Sequence, residues 1–245
     1  MRKILAVLPV LAVVLLVGCV GPVRDPAPEP PILAPSAGFG LSEPLGVESA
    51  AGNFVSVAST MEAVVERECY LRNPQVGCDF QIVVDDRPDQ PANAFQTLDR
   101  AGRPVIAFTL AMIADARNPD ELAFIMGHEA AHHILGHIPK SREQAMVGAL
   151  LLGTIASLGG GSAASVQAAQ QVGATVGARR FSKGFELEAD QLGTVIAWDA
   201  GYDPERGARF FDRLDDPGNS FLGTHPPNAD RKAVVQATLA GLRGV

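Results

Sequence analysis

The feature that most constrains this 245-residue chain is a histidine-rich helix whose start is written into the sequence. Asn118-Pro119-Asp120-Glu121 supplies a capping side chain and a proline at the first helical position. An apolar segment follows to Gly136, and inside it Gly127-His128-Glu129-Ala130-Ala131-His132 sets polar groups among Phe124, Ile125, Met126, Ile134 and Leu135. Histidines and a carboxylate entering a buried face need partners, and a metal ion satisfies all three. His128 and His132, four residues apart, share one helical face within reach of a single Zn2+, with Glu129 beside them. Zinc doing hydrolytic work takes three protein ligands and keeps one open position: it acidifies a water and polarises a carbonyl, and a carboxylate takes the proton.

The third ligand is expected in Phe185-Glu186-Leu187-Glu188-Ala189-Asp190-Gln191-Leu192-Gly193. Glu186 and Asp190 share one face, which suits a metal ligand followed by an acceptor that orients a ligating imidazole, that of His128; Glu188 falls on another face. A second histidine pair, His133 and His137, repeats the four-residue spacing without a carboxylate between them. Rotation of roughly 100° per residue turns these two away from the first pair, so His137 reads as a helix-end or supporting residue and His133 as structural.

The rest of the chain places this helix in an α+β fold that is mainly α. Val47 to Leu71 has helical apolar spacing and stops at Asn73-Pro74; β-like runs follow at Asp79 to Val84, Asn93 to Leu98 and Pro104 to Thr109, and everything after Leu110 reads as helix. Met146 to Leu158 is apolar, but about 13 residues of helix span only roughly 20 Å. It reads as one arm of a hairpin, 141 to 158 and 163 to 180, at the edge of the cleft. Cys69 and Cys78 flank a turn at Asn73-Pro74 and Gly77, so a disulfide is expected in an oxidising compartment.

The first eighteen residues read as a lipoprotein signal peptide: Arg2-Lys3, then an apolar run from Ile4 to Val17 too short to span a bilayer. Leu16-Val17-Gly18-Cys19 resembles the lipobox of bacterial lipoproteins, which makes Cys19 the lipidated first residue of the mature chain. Residues 19–38 form a Pro-rich tether and 39–245 the folded domain. Val20 follows the cysteine where the inner-membrane retention signal of enteric lipoproteins has Asp, which implies the outer membrane, facing the periplasm. A formal charge of −7 supplies no basic footprint for nucleic acid, so none is expected as a partner.

Several of these segments together resemble the HtpX/BepA/LoiP-type zinc metallopeptidases, relatives of the CAAX prenyl proteases and of mitochondrial quality-control proteases. The likeness covers about 90 to 245 and rests on Asn93-Ala94-Phe95, Glu121-Leu122-Ala123 leading into Gly-His-Glu-x-x-His, Glu186-x-x-Ala-Asp190 with Gly193, and Thr224-His225-Pro226-Pro227 with Arg231. It implies a zincin-like (gluzincin) domain holding one Zn2+ per chain on His128, His132 and Glu186, with Glu129 catalytic and Asp190 as buttress. His225 is implied to lie near the open coordination position, either donating to the oxyanion or blocking the site at rest; Arg231 is a candidate for stabilising that loop. The lipobox narrows the likeness to LoiP-like lipoproteins. Two departures stand out. Ser182-Lys183 occupies the place of the family's Ser-Arg, and Thr97 to Gly102 replaces its Pro-Gly-Gly turn.

The expected protein is therefore a lipid-anchored zinc endopeptidase of the bacterial cell envelope that hydrolyses unfolded or misassembled envelope proteins. An extended substrate is expected to add to Pro104–Thr109 as an edge strand. A zinc-binding chaperone with little proteolysis, or a structural lipoprotein without metal, are the alternatives.

Overall fold

A computed structural model of the chain describes residues 45–216 and 225–244. The signal peptide, Cys19, the tether, residues 39–44 and Thr224 lie outside the described residues. Helix α1 (Val47–Arg72) buries Phe54, Val57, Met61, Val64 and Val65 along one face. It stops at Asn73, whose side-chain amide donates to the Ile134 carbonyl (2.9 Å). The chain then turns back through a Cys69–Cys78 disulfide with Cα atoms 5.7 Å apart.

Three strands follow, β1 (Gln81–Asp85), β2 (Ala94–Leu98) and β3 (Pro104–Thr109), in the order β1-β3-β2. β3 pairs parallel with β1 and antiparallel with β2. The expectation that Pro104–Thr109 is an edge strand is therefore corrected: it is the central strand, and β2 is an edge. β3 is hydrogen-bonded to a neighbour along both edges, and its residues from Ile106 to Thr109 are all buried, against one in β2. Thr109 accepts from the Met112 amide (3.2 Å) and so caps the short α2 (Leu110–Asp115).

Helix α3 (Pro119–Ile134) starts as its sequence announces, with Asn118 Oδ1 accepting the Glu121 amide at 3.1 Å. Every residue from Asp120 to Ala131 is buried, so α3 is the central helix of the domain. Gly136, left-handed at φ 68°, breaks the chain direction after α3 and lets α4 (His137–Leu158) begin at once. Its hairpin partner is α5 (Ala163–Asp199). The second hairpin arm and the helix carrying Glu186 are one continuous element, not two, because nothing between 180 and 186 breaks it. Gly184 is tolerated inside a helix at about 1 kcal/mol. α4 and α5 approach to backbone contact: a Cβ on Gly173 would lie 2.1 Å from the Gly148 carbonyl oxygen. Among the described residues no helix is long and apolar enough to cross a membrane. A four-residue α6 (Pro204–Gly207), a 3-10 turn (Ala208–Arg213) and α7 (Asn228–Arg243) complete the chain.

What sets the relation of α5 to α3 is a glycine crossing. A Cβ on Gly127 would meet the Gly193 carbonyl oxygen at 2.8 Å, and one on Gly193 would meet the His128 amide nitrogen at 2.7 Å. Both neighbours are backbone, so neither helix can give way without moving the residues it carries. Gly127→Ala should cost about 1–3 kcal/mol through overpacking, measurable as a lower urea midpoint for the metal-free protein; an unchanged midpoint would show that the crossing is not tight.

Candidate metal centre

Across this crossing α3 presents His128 and His132 one turn apart, and α5 presents Glu186. His132 Nε2 lies 3.1 Å from His128 Nε2 and 3.4 Å from Glu186 Oε1, and His128 Nε2 lies 3.6 Å from Glu186 Oε2. The three donor atoms thus converge within 4.8 Å of one another. Two imidazole nitrogens and a carboxylate aimed at one point repel unless a proton or cation lies between them, and they are a donor set zinc favours. The residues present fit a divalent ion, and three ligands leave a fourth position for water or substrate.

The histidines are held in orientation from behind. His128 Nδ1 donates to Asp190 Oδ1 at 2.9 Å, which leaves Nε2 as the open nitrogen. Asp190 is wholly buried, and Arg231 grips it with both arms of its guanidinium: Nε to Oδ2 at 2.7 Å and Nη2 to Oδ1 at 2.6 Å. The guanidinium lies over the Phe211 ring, 4.2 Å from its centroid. Burial would raise the Asp190 carboxyl, but the charge and hydrogen bonds of Arg231, helped by His128, bring it below the usual aspartate value. Glu186 is likewise desolvated, yet hydrogen bonds from His132 and His225 hold it well below the usual glutamate value. Both are anionic, as a ligand and its buttress need to be.

Glu129 shares a pocket with His128, Glu186, His225 and Arg231, walled by Ala94 of β2 and by Phe210 and Phe211. Burial pushes its carboxyl above the ordinary value, against the pull of the neighbouring His128 and His132. A carboxylate of raised basicity beside three metal donors is placed to accept a proton. His225 Nδ1 lies 3.2 Å from Glu186 Oε2, so the Thr-His-Pro-Pro histidine meets the carboxylate of the candidate ligand at the pocket wall.

The second histidine pair is split by the break at Gly136. His133 Nε2 donates to the Gly77 carbonyl at 2.7 Å and its ring stands edge-on to Phe80. His137, however, does not turn away from the first pair: its Nδ1 lies 2.9 Å from His132 Nδ1. Continued helix would have kept the two rings apart, whereas the left-handed glycine folds His137 back. Burial and the neighbouring His132 push its imidazole down to about 3, so it is neutral.

Arg231, read from the sequence as a candidate for stabilising the Thr-His-Pro-Pro loop, is bound to Asp190, and its Nη2 also lies 3.7 Å from Glu186 Oε2, the oxygen that His225 meets. Its signal was legible in retrospect: Arg231, Val235 and Leu239 form one buried stripe of α7, and an arginine heading such a stripe needs a buried acid. Arg231→Met keeps the volume and strands Asp190, so the metal-free protein should lose about 3–5 kcal/mol. Arg231→Lys should recover only part of this, lacking the fork; equal denaturation curves for Met and wild type would dismiss the clamp.

The sequence pattern of peptidase family M48 matches residues 53–239. The chain is 30% identical over 142 residues to the putative beta-barrel assembly-enhancing protease of Vibrio cholerae, covering 51% of this chain and 29% of that protein. It is 30% identical over 125 residues to the beta-barrel assembly-enhancing protease of Yersinia pestis, covering 44% and 25%. Against the mitochondrial metalloendopeptidase OMA1 of Arabidopsis thaliana it is 26% identical over 168 residues, covering 66% and 32%. The chain thus spans at most about a third of the length of these curated relatives.

Proposed function

The chain belongs to peptidase family M48, and from that premise we propose that it is a zinc-dependent endopeptidase, lipid-anchored in the bacterial cell envelope, that cleaves unfolded or misassembled envelope proteins. The observation that carries the reading is the convergence of His128, His132 and Glu186 in the pocket that also holds Glu129. A zinc ion held there supplies an acidified water and a polarised carbonyl. Glu129 takes the proton released as the peptide carbon is attacked and passes it to the leaving amine. Asp190 keeps the His128 proton on Nδ1, and Arg231 keeps Asp190 charged. His225, whose imidazole stands against Glu186 at the pocket wall, is the candidate donor to the oxyanion.

An extended substrate reaches this pocket along β2, the edge strand that contributes Ala94 to the wall. Unfolded chains satisfy that geometry because their backbone groups are unpaired. The bacterial relatives' names, which join a protease to β-barrel assembly, support envelope proteins as the substrate class. The anchor rests on Leu-Val-Gly-Cys19 in the sequence alone.

Purified protein should carry about one zinc per chain. Glu186→Ala should release it, whereas Glu129→Gln should retain it and lose casein cleavage, since only the former removes a ligand; a fully active Glu129→Gln would assign the base elsewhere. His225→Ala should keep zinc and lower kcat by about 10² to 10³. A rise in basal turnover would instead make His225 a resting-state blocker.

A further inference from the structure

The two ligating imidazoles are not backed alike. His128 leans on Asp190, the acid that the Glu-x-x-Ala-Asp motif provides. His132 leans on a third histidine: its Nδ1 faces Nδ1 of His137 at 2.9 Å, and Nε2 of His137 faces Glu188 Oε2 at 3.2 Å. We propose that His137 and Glu188 are a positioning pair that fixes the tautomer and ring orientation of His132, doing for the second ligand what Asp190 and Arg231 do for the first. The inference rests on the zinc site proposed above.

The proton positions follow from one requirement. A metal-binding Nε2 on His132 is unprotonated, so the single ring proton of His132 sits on Nδ1 and is donated to His137 Nδ1. His137 then accepts at Nδ1, carries its own proton on Nε2 and donates it to the Glu188 carboxylate. Only this arrangement makes both hydrogen bonds at once with neutral rings. Orienting partners of this kind are worth about 10- to 100-fold in metal affinity.

The surroundings hold His137 to the task. It is 3% exposed at the first position of α4, placed there by the left-handed Gly136. Its ring stacks on Phe185, with centroids 4.5 Å apart and planes 14° from parallel. Phe185 immediately precedes Glu186, so the stack ties the His132 support to the helix that brings the third ligand. Glu188, two residues beyond Glu186 and half-exposed at 53%, closes the chain at the surface. The pair therefore links the end of α3, the start of α4 and the middle of α5 through one relay.

The test uses the full chain and measures zinc affinity by competition with a chromophoric chelator. His137→Phe keeps the ring on Phe185 but removes the acceptor; His137→Asn keeps an acceptor oxygen near the place of Nδ1. The Phe variant should bind zinc about 10- to 100-fold more weakly, with a shifted absorption band when Co2+ replaces zinc. The Asn variant should recover most of the affinity, and Glu188→Ala should show a smaller loss in the same direction. Thermal unfolding of the metal-free proteins separates these effects from general damage, because a merely structural histidine would lower the melting temperature without this order of affinities. Wild-type affinity and cobalt spectrum in His137→Phe, or an Asn variant no better than Phe, would overturn the proposal. Should His137→Phe not fold, Glu188→Ala decides, its exposed side chain sparing the core: unchanged affinity there overturns the relay. A wild-type chain that binds no zinc overturns the metal site itself, and that failure is visible before any variant is made.

Discussion

Three carboxylates, Glu129, Glu186 and Asp190, are buried in one interior, and their charge governs how the elements around them assemble. Removing an acid from water costs several kcal/mol unless a partner of opposite charge is supplied in good geometry. Arg231 provides that partner for Asp190, which explains why α7 docks where it does despite joining the rest of the domain only after the chain has passed through the 3-10 turn. Phe211, in that turn, covers the guanidinium and excludes water from the pair. The charges that orient the site thus also fasten the C-terminal helix.

This electrostatic arrangement works only because the helices that carry it are fixed by sterics. At Gly127 and Gly193 the backbones of α3 and α5 touch, immediately next to His128 and one turn beyond Asp190. A side chain at either position would spread the helices by more than the tolerance of a metal–ligand bond. Glycine normally weakens a helix, so its presence in two buried helices is paid for by the approach it permits. A similar economy of volume recurs in the α4–α5 hairpin at Gly148 and Gly173, which extends α5 beyond the site and gives it length.

The site then combines two kinds of order. Side chains that would hold an ion, His128, His132 and Glu186, sit on long helices and are backed from behind, while Glu129, His225 and Ala94, which line the same pocket, come from a helix, the segment leading into α7 and an edge strand. Membership in peptidase family M48 and the geometry of the pocket point to the same metal-dependent chemistry.

Much of this was determined by sequence alone. The cap at Asn118, the one-turn spacing of His128 and His132, and the shared face of Glu186 and Asp190 are local matters of helical periodicity, and they appear in the structure as the periodicity implies. Three other things were settled only by tertiary structure. Pro104–Thr109 proved central rather than an edge, since strand order depends on long-range pairing that an apolar run does not encode. His137 came back beside His132 because Gly136 adopts a left-handed conformation, a choice a glycine permits but does not announce. Arg231 found Asp190 because a buried acid on another helix demands a cation, and the pairing of residues 41 positions apart is decided by packing, not by spacing.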